Sequence, residues 1–127
     1  GIIETSLAAV YVHSEAFTQQ SEAPLYVTGG ASGSPEIMRR VAAIWNRPII
    51  PMEKGGPALG SAVAGAYAYR KSRGESFDVE ACSQGLLKRS QPIAPRPEDV
   101  EAYHGPGKYL EQFRAEEARI IATHPIQ

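Results

Sequence analysis

Apolar residues recur at helical spacing near the start of the chain. Ile3, Leu7, Val10 and Phe17 share one face of a helix that the spacing predicts over residues 2–20. No obvious capping residue precedes this helix. We therefore expect the chain to begin inside an element of structure.

Two short apolar runs predict β-strands. Residues 25–28 are aromatic and β-branched and lie between a proline and two glycines. Residues 48–51 are apolar with a proline at each end, where the missing amide of proline is tolerated. Each run is followed by a helical pattern, so the order is strand, helix, strand, helix.

The helix between the two strands has a clear start signal. Ser34, Pro35 and Glu36 supply an N-cap, a first-turn proline and a first-turn acid. Apolar residues then follow at i, i+4, i+7 and i+8, which predicts an amphipathic helix that ends near Asn46.

The second helix of this repeat, predicted over residues 58–71, is rich in small residues. Glycine costs about 1 kcal/mol in a helix interior relative to alanine, so Gly60 and Gly65 need a reason. We expect another element to approach the helix backbone closely, and tight packing on the sheet is the simplest form of that contact.

The second half of the chain is more charged and predominantly helical. The pattern predicts a helix over residues 79–90, an extended proline-rich connector over residues 91–97 and a terminal helix beyond it. One face of that terminal helix carries the residues Tyr109, Phe113, Ile120 and Ile121.

This element order predicts an α/β fold. Two parallel strands joined by a helix form a crossover unit, which normally lies inside a larger sheet covered on both faces. A two-stranded unit is marginal alone, so we expect the strands to pair with strands that this sequence does not contain. The chain is predicted to be the C-terminal part of a larger α/β protein.

Composition and charge exclude several classes of function. The chain has 127 residues and 43% hydrophobic residues, which fits one domain, and a net charge of −1 with no basic stripe argues against nucleic-acid binding. No apolar stretch is long enough to span a membrane. The lone cysteine, Cys82, and three scattered histidines predict neither a disulfide nor a metal site, and a cytoplasmic setting is expected.

The strongest candidate site is a glycine-rich turn after the first strand. Residues 27–34 form a strand end, a turn and a helix start, where exposed amides favour an anion or a polar ligand edge. The turn matches neither the dinucleotide fingerprint nor the Walker loop, and a plain tight turn remains an equal alternative. A second glycine-rich loop, residues 52–57, should reach the same sheet edge and form a crevice with it.

A serine hydrolase is an alternative, because the nucleophile of such enzymes also lies in a turn between a strand and a helix. The GxSxG elbow would need glycine where Ser34 stands, and the remaining triad residues, Asp99 with His104 or His124, lie in polar or terminal segments that we expect to be solvent-exposed. The only two aspartates are in the second half of the chain. The sequence therefore offers no catalytic residue, and His13 is predicted to be a surface residue.

Two motifs resemble the FGGY carbohydrate kinases, which belong to the actin/hexokinase (ribonuclease H-like) ATPase superfamily. Residues 25–35, LYVTGGASGSP, are similar to the family's strand, GG(G)A turn and Ser-Pro helix start, and residues 56–62, GPALGSA, to its ALGAA segment. The opening helix and the tail also resemble the latter half of the family's C-terminal domain. The turn is one residue longer than usual, and Ala43 stands where many members have aspartate.

This resemblance implies that Gly29, Gly30 and Ala31, with Ser34, contact the adenosine part of ATP. It divides the single domain, residues 1–127, into a βα nucleotide-binding core over residues 1–71 and a helical C-terminal extension over residues 72–127. The family's phosphate loops, sugar pocket, catalytic aspartate and principal Mg²⁺ contacts precede this region. The chain alone is therefore expected to be inactive.

The resemblance implies part of a kinase that transfers the γ-phosphoryl of MgATP to a sugar hydroxyl. D-xylulose is the expected sugar, and L-ribulose, gluconate and glycerol remain alternatives. ATP or ADP and the sugar are the expected partners, and a homodimer is left open. A non-enzymatic nucleotide-binding or assembly module, which completes its sheet with another chain, is the rival from a different class.

Overall fold

The computed structural model describes residues 1–18, 22–52, 56–86 and 89–124. Six α-helices and two β-strands are found in these residues, with a short 3-10 helix between the first strand and the second helix. In chain order the elements are α1 (Ile2–Thr18), β1 (Leu25–Val27), the 3-10 helix (Gly30–Gly33), α2 (Pro35–Trp45), β2 (Ile49–Pro51), α3 (Gly56–Ser72), α4 (Val79–Leu86), α5 (Pro97–Tyr103) and α6 (Tyr109–Thr123).

The two strands pair in parallel, and α2 is the crossover between them. Leu25 lies opposite Ile49, and the register continues to Val27 opposite Pro51. The amide of Met52 extends the ladder by donating to the Val27 carbonyl at 2.8 Å. The predicted α/β unit with two short parallel strands is thereby confirmed.

A segment predicted partly as helix and partly as a free connector joins this sheet. Ile93 pairs antiparallel with Ile49, with N–O distances of 2.8 and 2.9 Å, and Arg89 forms a second bridge with Met52. The predicted helix over residues 79–90 was too long, since α4 ends at Leu86; residues 87 and 88 lie outside the described part. The outer edge of β2 is therefore covered by the chain itself.

Helix α2 carries most of the core. The Ser34 hydroxyl accepts a hydrogen bond from the Ile37 amide at 3.4 Å, Pro35 occupies the first turn, and Asn46 ends the helix in the left-handed conformation. The face toward β1 and β2 buries one hydrophobic cluster, and the face toward α1, α5 and α6 buries a second. The buried residues of α2 are Met38, Val41, Ala42, Ala43 and Ile44.

Helix α5 was not predicted, and it anchors the second half of the chain. Pro97 occupies its first turn and Tyr103 is buried at its end. The Arg39 guanidinium of α2 donates two hydrogen bonds of 2.6 Å to the Asp99 carboxylate. Helix α6 then packs on α1 and α5, so the predicted terminal helix is confirmed but is tied to the core.

The small-residue helix α3 packs chiefly against α4. Beyond the neighbouring backbone of α3 itself, a Cβ built on Gly60 or Gly65 would meet no atom of the described residues within 4 Å. The predicted close approach to this backbone is therefore not found within the described residues, where Leu59, Val63 and Tyr67 instead line an open groove of about 440 Å³.

The sheet core is expected to depend strongly on Ile49, which is fully buried between α2 and residue 93. Ile49→Ala should lower the free energy of unfolding by about 2–5 kcal/mol, because it leaves a cavity in a packed cluster. Ile2→Ala is the matched control, since Ile2 is 88% exposed, and should cost less than about 0.5 kcal/mol. Urea denaturation measures both, and equal costs would contradict the assigned core.

Candidate functional site

The turn after β1 has an unusual backbone and an open surface. Gly29 has φ +113° and ψ −175°, a conformation essentially restricted to glycine. Gly29, Gly30 and Ala31 are exposed, and a Cβ built on either glycine would meet nothing within 4 Å among the described residues. A ligand can therefore approach the main chain of this turn closely.

The backbone donors of the turn are oriented by the short 3-10 helix. Ser32 N donates to Gly29 O at 3.2 Å, and Ser34 N donates to Ala31 O at 3.0 Å. The amides of Gly30 and Ala31 precede the first hydrogen bond of this helix, so intrahelical bonding leaves them free. The turn thus offers main-chain donors at its exposed surface.

The ends of β1 and β2 are linked at the same edge of the sheet. The Ser32 hydroxyl lies 2.7 Å from the Gly29 carbonyl oxygen and 3.2 Å from that of Met52, the residue after β2. The expected meeting of the two glycine-rich loops is supported as far as Met52. Residues 53–55, which include Glu53, lie outside the described residues.

Sequence reasoning missed two side chains beside the turn. Ser32 lies within the turn but was assigned no role, yet its side chain is the one that joins the two strand ends. The Arg89 guanidinium lies 5.2 Å from the ring centroid of Tyr26, which is 53% exposed on β1. No local sequence pattern predicts the contact between Arg89 and Tyr26, because 62 residues lie between them. The bridge between Arg89 and Met52 brings the arginine to the end of the sheet.

The predicted site residues divide into two groups. Gly29, Gly30 and Ala31 form one continuous exposed surface. Ser34 follows them but is half-buried, and its hydroxyl caps α2 by accepting from the Ile37 amide. A direct ligand contact from Ser34 would have to use the remaining bonding capacity of that hydroxyl.

The residues of the rejected hydrolase triad are engaged elsewhere, and two of them are not solvent-exposed as predicted. Asp99 is half-buried against Arg39, and the half-buried His104 donates from Nε2 to the Ile44 carbonyl at 2.9 Å, which caps the end of α2. His13, exposed as predicted, lies 2.9 Å from Glu117. None of these side chains reaches the turn through the contacts that it makes.

Electrostatics also make Asp99 a poor proton acceptor. The hydrogen bonds from Arg39 hold the pKa of Asp99 below its usual value, which weakens it as a general base. Asp78, the other aspartate, accepts from the Ala81 amide at 2.9 Å and caps α4. Ala43 is fully buried in the helical cluster, so the position where many resembling sequences carry aspartate is a core position in this chain.

Tyr103 has a strongly raised pKa, and burial of its side chain is the largest cause. Burial, and then the hydrogen bond from its hydroxyl to Glu4 at 2.9 Å, raises the pKa of Tyr103 to about 12. This tyrosine stays neutral at physiological pH and serves as a donor between α5 and α1.

The described residues contain neither a cluster of metal ligands nor a membrane-spanning helix. Across residues 1–18, 22–52, 56–86 and 89–124, no three His, Cys, Asp or Glu side chains come together as metal ligands. In the same ranges, no helix has the length and apolar character needed to cross a bilayer.

The conformation of Gly29 should make it the more sensitive of the two turn glycines. Gly29→Ala is expected to lower the free energy of unfolding by about 1–3 kcal/mol, because alanine is strained at φ +113°. Gly30→Ala meets the same open space without a positive φ, and is expected to be neutral or to stabilise by up to about 1 kcal/mol. Thermal unfolding of both variants checks this, and equal stabilities would contradict the turn geometry.

Comparison with known structures identifies the fold of the chain. A ligand-bound xylulose kinase from Lactobacillus acidophilus matches with a TM-score of 0.68 and 19% identity, over 97% of this chain and 24% of the kinase. A gluconate kinase from the same species matches with a TM-score of 0.65 and 17% identity, over 96% of this chain and 23% of its own. A xylulose kinase from Rhodospirillum rubrum matches with a TM-score of 0.62 and 20% identity, over 95% and 23%.

These matches show the actin/hexokinase-like fold, and the chain spans about a quarter of the length of the matched kinases. No protein of curated function matches the chain by sequence comparison. The sequence model of the C-terminal domain of the FGGY family of carbohydrate kinases matches residues 1–69, which contain both strands and the glycine turn. The chain therefore belongs to the FGGY family of carbohydrate kinases.

Proposed function

We propose that the chain is the nucleotide-binding part of a longer ATP-dependent carbohydrate kinase, which transfers the γ-phosphoryl group of ATP to a sugar hydroxyl. The observation that carries this proposal is the exposed main chain of Gly29, Gly30 and Ala31 at the carboxyl edge of two parallel strands. Ligands of open α/β sheets bind at such edges. Membership of the FGGY family supplies the chemical class.

The turn suits the adenosine end of ATP. Its glycines leave space beside the backbone, so a flat base or a ribose can lie against the main chain. The free amides of Gly30 and Ala31 can donate to acceptor atoms of that ligand. Ser34 completes the proposed contact set with whatever bonding capacity its capping role leaves.

The catalytic machinery is assigned to other parts of the longer protein. Both aspartates of this chain hold structural hydrogen bonds, so neither is placed to accept the proton of a sugar hydroxyl. Mg²⁺ bound to the ATP phosphates would neutralise charge during transfer, and its ligands are proposed to lie outside this chain. A lone cysteine fits a reducing compartment such as the cytoplasm.

Residues 1–71 are proposed as the nucleotide-binding core and residues 72–127 as a helical C-terminal extension. The family match over residues 1–69 supports the first boundary. The contacts of Ile93, Asp99 and Tyr103 with the core indicate that the extension belongs to the same domain.

D-xylulose is the proposed sugar, with gluconate as the alternative. Two of the three structures described above are xylulose kinases and one is a gluconate kinase. The residues that choose between sugars are expected outside this chain, so a substrate screen has to decide.

Adenine nucleotides are expected to bind the turn directly. ADP should bind the chain in isothermal titration, and Gly30→Ala should weaken binding by about tenfold or more, because its methyl group enters the space proposed for the ligand. Gly65→Ala is the control, since it makes the same chemical change on the open face of α3 and should leave the dissociation constant unchanged. Absence of ADP binding at millimolar concentration would refute the adenosine contacts.

Sugar phosphorylation should require the longer protein. A coupled assay is expected to find no sugar-dependent ATP turnover by the 127-residue chain, whereas a protein that includes the upstream coding sequence should phosphorylate D-xylulose or gluconate. Turnover by the chain alone would contradict the division of labour proposed above. Concentration-dependent self-association without ADP binding would favour the assembly module instead.

A further inference from the structure

One side chain of the glycine turn differs from its neighbours in burial. Ser32 is only 8% exposed, whereas Gly29, Gly30, Ala31 and Gly33 are all exposed. It is also the only polar residue among the buried residues of the described chain. A buried hydroxyl is costly unless it is hydrogen-bonded, so its partners define its role.

Those partners follow the two strands at one edge of the sheet. The Ser32 hydroxyl has one proton, and it is shared between the Gly29 carbonyl at 2.7 Å and the Met52 carbonyl at 3.2 Å. Gly29 and Met52 follow β1 and β2, respectively, and the Met52 amide is itself fixed to Val27 at 2.8 Å. The serine therefore connects the turn to the residue that follows the paired strand β2.

These hydrogen bonds of Ser32 matter because the glycines of the turn give its backbone high conformational freedom. Glycine loses more conformational freedom on ordering than any other residue, and two glycines lead into the turn. A ligand that had to order this backbone would bind more weakly, since that ordering is subtracted from the binding free energy. On the other side of the turn, Ser34 O accepts from the Met38 amide at 3.0 Å, which anchors the end that enters α2.

We propose that Ser32 is a positioning residue for nucleotide binding: its hydroxyl holds the main chain of Gly30 and Ala31 in the conformation that contacts the ligand. This inference rests on the proposed function. Ser32 acts through the turn, because its side chain is buried and its proton is already used by two carbonyl groups. A purely structural serine would affect stability without a specific effect on nucleotide affinity.

The test compares Ser32→Ala with Ser32→Thr, which restores the hydroxyl. Isothermal titration of the full chain with ADP should show a dissociation constant about fivefold to tenfold higher for Ser32→Ala. Ser32→Thr should bind within about threefold of the wild type. NMR order parameters of the Gly30 and Ala31 amides should fall from about 0.85 in the wild type to below about 0.6 in Ser32→Ala, even without nucleotide.

Ser72→Ala is the matched control. The Ser72 hydroxyl also donates to the carbonyl three residues before it at 2.7 Å, but it makes no bond to a second strand end. Its removal should leave both the ADP affinity and the order parameters of the turn unchanged. If Ser32→Ala does not fold, Ser32→Cys is the second variant, because its thiol fills the position but is only a weak donor. Its dissociation constant for ADP is then expected to rise by about fivefold to tenfold.

The outcomes separate this inference from the function on which it rests. Wild-type binding with unchanged affinity in Ser32→Ala, or an equal loss in Ser32→Ala and Ser32→Thr, would overturn the positioning role alone. Failure of the wild type to bind ADP would overturn the proposed adenosine contacts and the nucleotide role of Ser32 together. Order parameters that do not change in Ser32→Ala would show that the hydroxyl does not hold the turn.

Discussion

The parallel pairing of β1 (Leu25–Val27) with β2 (Ile49–Pro51) is the constraint on which the molecule depends. Parallel strands cannot be joined by a tight turn, so the chain has to return along α2, and that helix must bury a face against the sheet. The same pairing brings the carboxyl ends of both strands to one edge. The glycine turn and Met52 meet there for that reason, and the Ser32 hydroxyl can reach both.

Helix α2 connects the paired strands to the other helices by packing against both. One of its faces packs on β1 and β2 through Met38, and the other packs on α1 and α6 through Ile44. The pair formed by Arg39 and Asp99 adds α5 to the same helix. The exposed turn is therefore supported by a helix that is itself held on two sides, and a binding surface needs that rigidity if glycine supplies its main chain.

The sequence predicted the local elements well and the long-range contacts poorly. The cap formed by Ser34 and Pro35 and the glycines after β1 act within a few residues, so α2, the strands and the exposed turn could be predicted. Helix α5 was missed although Pro97 is a first-turn signal, because the preceding prolines favoured an extended connector. The pairing of Ile93 with Ile49 and the bond from Ser32 to Met52 join residues 44 and 20 positions apart, and no local pattern encodes them.

The two edges of the sheet are not equivalent, and this limits how a longer kinase can be built around it. The outer edge of β2 is occupied by the segment of residues 89–93, whereas no strand of the described residues pairs with the other edge of β1. In the proposed kinase, a further strand can extend the sheet only beside β1. The remaining sheet of the proposed kinase would then lie on the β1 side, so the proposed nucleotide turn, which follows β1, would stand between this unit and the rest of the sheet.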